Sequence, residues 1–412
     1  MRNMILFELK KIIRKKSTIY TMLGITLFVV SVFIMSLFQY RGVDLNGNEY
    51  SSLKGIKASK EVSNKIFNKK VTDESIKKDI QEFQNYYKEN SQINEEGEEE
   101  LLKNELYYSF FLPRRDYFSW IANNYTEPYL YAMVKSLNKV SVNDASKFYD
   151  IREEKVNELL SLDVFGSYSN VEKKYWKEKS INIERPLKYG YKDGWETIFD
   201  RLTFFMFVIL AVCICIAPIF ASEYELNTDA IILTTKHGKS KLIIAKIIAA
   251  HIFCMISLLI ILSLSVGIVL LLFGAEGWNL NAQVIQTIIP YKLNLLEVTL
   301  LWIGVIFVVT LGLVGITLFL SAKLNAAFHV LIIDVAIIFI PTFIPISSNK
   351  IINHIQYLLP STAVDKIFAH YTSYYIGNKV INVYSMIFIV YIIISLIFIS
   401  LSKKAFKSHQ VQ

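Results

Sequence analysis

Leu242–Phe273, LIIAKIIAAHIFCMISLLIILSLSVGIVLLLF, decides the fold. Apart from Lys246 near its start and His251, it carries no charged or strongly basic group. A helix needs only about 20 apolar residues to cross roughly 30 Å of hydrocarbon. Five further runs read the same way: Ser17–Gln39, Leu202–Ala221, Leu295–Leu320, Ala326–Ile346 and Val380–Leu401. The reading is an all-α integral membrane protein of six transmembrane helices, with one large domain between the first and second. Composition agrees, since 53% hydrophobic with 19% charged residues is too apolar for a soluble chain of 412 residues.

Charge separates two environments. Between Arg41 and Asp200 stand 25 Lys and Arg against 28 Asp and Glu, so the positive excess of a chain with formal net charge +8 lies outside that stretch. It is one-sided. Arg2, Lys10, Lys11, Arg14, Lys15 and Lys16 precede the first run; Lys236, Lys239, Lys241 and Lys246 follow the second; Lys323 follows the fourth; Lys403, Lys404 and Lys407 follow the sixth. The positive-inside rule makes these segments and both termini cytoplasmic, and residues 40–201 an extracellular domain. The expected location is the cell membrane. Ser17–Gln39 exceeds the usual signal-peptide apolar segment and is read as a retained anchor. Residues 1–16 interleave Met4, Ile5, Phe7, Leu9, Ile12 and Ile13 with bases, which suits an interface helix on anionic lipid or charge that only sets topology.

The domain of residues 40–201 reads as mainly helical. Ile76, Ile80, Phe83 and Tyr87 form a stripe within Val71–Tyr87, and Asn143–Leu160 is a second candidate capped by Asn143 or Asp144. The acidic run Glu95–Glu100 reads as a solvated turn and helix start. Phe110, Phe111, Tyr117, Phe118, Trp120, Tyr125, Tyr129 and Tyr131 read as core, with an amphipathic ligand surface or outer headgroup contact as alternatives. Cys213, Cys215 and Cys254 all fall inside apolar runs, which leaves no disulfide for the domain, and no metal site is expected.

The loop after the second run carries the most information. Pro218-Ile219-Phe220-Ala221-Ser222-Glu223-Tyr224-Glu225 leads into Thr228, Asp229, Ile231, Ile232 and Leu233, then Lys236-His237-Gly238-Lys239-Ser240-Lys241, then Lys246. A span ends at acids, a short amphipathic helix follows, and a basic turn opens the next span. This order resembles the permeases of the ABC type 2 exporter family, as do the six-span plan and Tyr357-Leu358-Leu359-Pro360 before the last span. The resemblance covers the membrane part, about 250 residues with its membrane-length spans and their connections, and does not cover the domain of residues 40–201. Asn227 stands where the family often has Gly, and Lys239 and Lys241 where it often has Arg.

The resemblance implies a half-transporter whose coupling segment 223–235 docks on a cytoplasmic ABC ATPase, with ATP and magnesium on that partner and none here. Glu223, Glu225 and Asp229 would meet a basic rim while Ile231, Ile232 and Leu233 fill a groove; Thr228, Lys239, Lys241 and Lys246 complete the segment. A second permease, identical or different, and membrane lipid are the other expected partners, with no nucleic acid. Outward movement of an amphipathic substrate, such as a peptide or antimicrobial, is the expected function. A peptide sensor without export and a mechanotransmission-type permease are the alternatives.

No enzyme signature competes. Gly238-Lys239-Ser240 ends like a phosphate loop, but the position five residues before Gly238 is Leu233, and His251, His329 and His354 lack the spacing of a zinc protease. Inside the spans, Asp334 and His251 count to similar depth and could pair, as a proton-linked gate or as an interhelical contact. Glu297 sits near the outer end of the fourth run. Gly304, Gly312 and Gly315 share a face for close packing within the chain or across a dimer. Pro341, Pro345 and Pro360 interrupt segment 341–379; the resemblance implies re-entrant helices there, at Ile351–Leu359 and Ala363–Tyr371, and an ordinary loop is the alternative.

Overall fold

The computed structural model describes residues 1–93, 99–127, 133–162, 167–235, 237–365 and 370–408. The fold is mostly helical. Five helical segments are long and apolar enough to cross a membrane: Lys16–Gln39, Asp193–Glu225, Ser240–Phe273, Leu295–Lys323 and Val383–Lys407. They are called here the first to fifth long helices. The Ala326–Ile346 run gives a shorter element. Its α-helix covers Ala327–Phe339, and Ile340–Phe343 follows as a tighter 3-10 turn. Pro341 has no N–H to donate and its ring crowds the preceding turn, so the α-helix stops there. At about 1.5 Å per residue the α-helical part is about 20 Å long, less than a hydrocarbon core.

The N-terminal helix Arg2–Arg14 is separated from the first long helix by Lys15 in an extended conformation. The second long helix is interrupted where Pro218 opens a new helical piece, Pro218–Glu225. The third begins with a wide turn at Gly238–Leu242 and continues as Ile243–Phe273.

The fourth and fifth long helices form the tightest seam. A Cβ placed on Gly312 would lie 2.5 Å from the Tyr391 ring, and one on Gly315 3.2 Å from Ser395 Cα. The glycine face therefore serves packing within the chain. Glu297 has a capping role: Asn294 Oδ1 accepts from Glu297 N at 2.9 Å, and Glu297 Oε2 accepts from Asn294 N at 2.9 Å. Cys213, Cys215 and Cys254 are free and buried.

Residues 40–201 are mainly helical but not purely so. Short antiparallel ladders join Arg41–Val43 to Glu49–Ser51, Lys69–Val71 to Leu187–Tyr189, and Ser91–Ile93 to Glu99–Leu101. Three-residue bridges carry too few positions for an alternating pattern, which is why the sequence reads them as helix or loop. The first amphipathic stripe becomes Asp73–Asn90, capped by Thr72. The second is two helices, Val142–Ala145 and Phe148–Ser161, and its cap is Ser141 rather than Asn143 or Asp144, because Ser141 Oγ accepts from Asp144 N. The acidic run opens a strand at Glu99, not a helix; its Glu95–Glu98 part lies outside the described residues. Phe111, Tyr117, Phe118 and Trp120 are buried in the core, whereas Tyr129 and Tyr131 lie outside the described residues.

Segment 341–379 holds a helix, Lys350–Gln356, a single turn at Pro360–Ala363 and a hairpin of Ser373–Ile376 with Lys379–Asn382. The first expected piece, Ile351–Leu359, is thus largely helical. The second, Ala363–Tyr371, is displaced to the turn opened by Pro360, and residues 366–369 lie outside the described ones.

The described residues among 40–192 gather at one end of the long helices. Tyr40 packs edge-on against Phe273, and Trp120 Nε1 donates to Gln283 O at 2.8 Å. The N-terminal helix and the end of Val383–Lys407 lie at the other end, where Phe406 stacks on Tyr224 and meets Phe220 at 4.8 Å.

Candidate functional site

At the end carrying the N-terminal helix, the loop between the second and third long helices is braced by buried ions. Glu223 sits in the last turn of Pro218–Glu225, and the proline-initiated helix turns its side chain inward. Lys11 Nζ donates to Glu223 Oε1 at 2.7 Å, and Lys246 Nζ to the same oxygen at 2.8 Å. Lys246 also reaches Glu8 Oε2 at 3.2 Å and Ile219 O at 3.2 Å. Thr228 Oγ1 donates to Glu223 Oε2 at 2.6 Å.

Two lysines and two carboxylates thus balance. The side chains of Lys246, Glu223 and Glu8 are 2%, 6% and 7% exposed. Charges so far from water persist only when paired and hydrogen-bonded. The cluster ties the N-terminal helix, the loop and the third long helix into one unit.

Neutral contacts extend the brace to the fourth long helix. Ser321 Oγ donates to Ala217 O at 2.6 Å and accepts from Phe220 N and Ala221 N. This satisfies backbone groups where Pro218 breaks the helical ladder. Tyr224 donates to Ala322 O at 3.0 Å, and Glu225 Oε1 accepts from Ala327 N at 3.0 Å, at the start of the short apolar helix.

Beyond the cluster, Asn227 adopts a φ of +53°, a left-handed turn that asparagine tolerates. The loop helix Asp229–Thr234 follows. Leu226 and Ile231 are 70% and 69% exposed, Ile232 is half-buried, and Asp229 is buried. The acids are therefore not displayed together on an exposed rim as the sequence suggested: Glu223 and Asp229 face inward and only Glu225 is exposed. Lys241 is exposed, Lys236 lies outside the described residues, and so do the side chains of Leu233 and Lys239. A groove of about 450 Å³ opens over the cluster, walled by Met4, Phe7, Ile232 and Leu242.

Glu8 is the residue that sequence reasoning passed over. It is the one acid among the first 40 residues, three positions before Lys11 on the same helix face, and that isolation was the available signal.

His251 and Asp334 do not meet. Asp334, buried in the short apolar helix, accepts from Thr317 Oγ1 of the fourth long helix at 3.0 Å. His251 donates through Nδ1 to Ile247 O at 2.8 Å, within its own helix. Equal depth did not place them on facing sides. No group of metal-ligating side chains occurs among the described residues.

Several apolar helices of membrane length, with a helical loop element locked to them by buried ions, define a multi-pass membrane protein. The family model described as ABC-2 family transporter protein matches residues 2–407, and the chain belongs to that family. It is a membrane permease of an ABC system, whose family works in general with a partnering ATPase subunit. No curated protein and no solved structure gives a match.

Proposed function

We propose that this permease is the membrane half of an ABC exporter, with the loop helix Asp229–Thr234 and neighbouring Leu226 as the docking element for a cytoplasmic ATPase that binds ATP and magnesium. The observation that carries the reading is the buried cluster behind that element. A docking helix can transmit movement only if it is rigidly joined to the spans, and the pairing of Glu223 with Lys246 joins its base to the third long helix, with Glu8 and Lys11 adding the N-terminal helix. Exposed Leu226 and Ile231 supply an apolar anchor beside the groove.

In this reading Ala327–Phe343 completes a sixth crossing, aided by the segment after Pro341, and residues 40–201 lie outside the cell. The unit works as a pair with a second permease, moving an amphipathic substrate outward. Docking is tested by Leu226→Glu and Ile231→Glu in the full chain. Copurification of the ATPase should fall about tenfold or more, the loss expected when a charge replaces an interface anchor, with permease levels unchanged. Undiminished copurification and ATP hydrolysis in both variants overturn the assignment.

A further inference from the structure

From Ile244 to Ile256, every third or fourth residue of the third long helix lines a furrow whose opposite wall is Ile399 and Lys403 of the fifth. Its volume is about 450 Å³. The walls are isoleucine and methionine, including Ile248 and Met255, except at two points. His251 forms part of the furrow, its ring fixed by the bond to Ile247 O and its Nε2 buried with no partner among the described residues. Lys403 stands at the end nearest Lys407, exposed and in no ion pair among the described residues.

We propose that this furrow holds an acyl chain of one anionic phospholipid, drawn from the leaflet on the side of the N-terminal helix, with its phosphate on Lys403. The inference rests on reading these helices as membrane spans. Twelve residue steps at about 1.5 Å give a length near 18 Å, close to half of a roughly 30 Å hydrocarbon core. One chain of one leaflet matches that depth. The cation lies where the headgroup of such a lipid would be, and basic pockets between spans are suited to anionic headgroups. Close helix packing favours small residues, as in the glycine seam of the fourth helix, whereas this wall carries bulky isoleucine and methionine side chains.

The test is native mass spectrometry of the full-length permease in detergent, titrated with phosphatidylglycerol and with phosphatidylcholine of the same chains. Phosphatidylglycerol should be retained about fivefold better, the factor expected from one lysine at a lipid surface. Lys403→Glu should abolish the preference, Lys403→Arg should keep it, and Ile252→Trp, which fills the furrow, should reduce retention of both lipids. Equal retention of the two lipids by the unaltered protein overturns the proposal without requiring any variant to fold. So does a cysteine at Ile256 that crosslinks two copies across the furrow, which would assign it to a second subunit. ATPase copurification is measured on the same samples. Its loss with Leu226→Glu and its persistence with Lys403→Glu keep docking and lipid retention distinguishable.

Discussion

Lys246 is the residue on which the brace behind the Asp229–Thr234 helix turns. It faces two carboxylates and a backbone oxygen and is 2% exposed, whereas Lys11 contacts the same Glu223 with a side chain 53% exposed. The two lysines should therefore differ sharply when truncated. Lys246→Met leaves Glu8 and Glu223 buried without their shared cation and should cost about 3 kcal/mol, the penalty of a broken buried pair. Lys11→Met should cost less than about 1 kcal/mol, as water can take over from an exposed partner. Thermal unfolding of the purified variants measures both, and equal losses would show that the cluster does not depend on burial. The sequence displayed Glu223, Lys246 and the motif around them, yet not their direction. Inward or outward presentation depends on Pro218 and the left-handed Asn227, whose combined rotation no spacing rule gives.

Among the elements, the seam of the fourth and fifth long helices makes the sharpest demand on side-chain size. Tyr391 cannot swing away to admit a larger residue at Gly312, because its hydroxyl donates to Leu358 O at 2.9 Å. Gly312→Val should destabilise by about 1–3 kcal/mol, the range for overpacking, as read from loss of the folded fraction in detergent titration. Gly304→Ala should be tolerated better, since its added Cβ meets only the tip of the Phe388 ring at 3.0 Å. If Gly312→Val is as stable as Gly304→Ala, the helices are not held as described. The spaced glycines were legible in sequence, and so were the long apolar runs, although the second long helix begins well before its run, at Asp193, and the fifth runs on past its apolar stretch to Lys407. The choice between an internal and an intermolecular seam was not, because periodicity names a face and not its partner. The three-residue ladders of the domain and the end of the α-helix in the fifth apolar run were missed for different reasons. The ladders are too short to alternate, whereas hydropathy continues past Pro341 although the α-helical hydrogen bonding does not.

On the scale of the molecule, polar contacts, several of them buried, help to fasten the described part of residues 40–192 to the segments that connect the long helices. Arg152 donates to Thr287 O and Ile289 O, Trp176 Nε1 to Ser373 Oγ, and Lys350 Nζ to Glu172 Oε2 at 2.8 Å. The last of these responds to pH. Burial alone would raise the Glu172 carboxyl, but hydrogen bonds from Lys350 and from Ser169 outweigh it and hold the group below its usual value. A carboxylate depressed in the folded state stabilises the fold above its unfolded value of about 4.3. That contribution is lost as pH falls through the lower folded value. Lys350→Met removes the cation while Glu172 stays 2% exposed, so the carboxyl should titrate higher and acid loosening should begin at a higher pH than in the unaltered protein. Near neutral pH the same change should cost about 2 kcal/mol, below the full buried-pair penalty because Lys350 is itself 36% exposed. Limited proteolysis between residues 163 and 189, followed from pH 7 to pH 3, measures both effects. The variant should be cut earlier in the acid series; identical profiles would show that Glu172 and Lys350 do not hold the domain to segment 341–379.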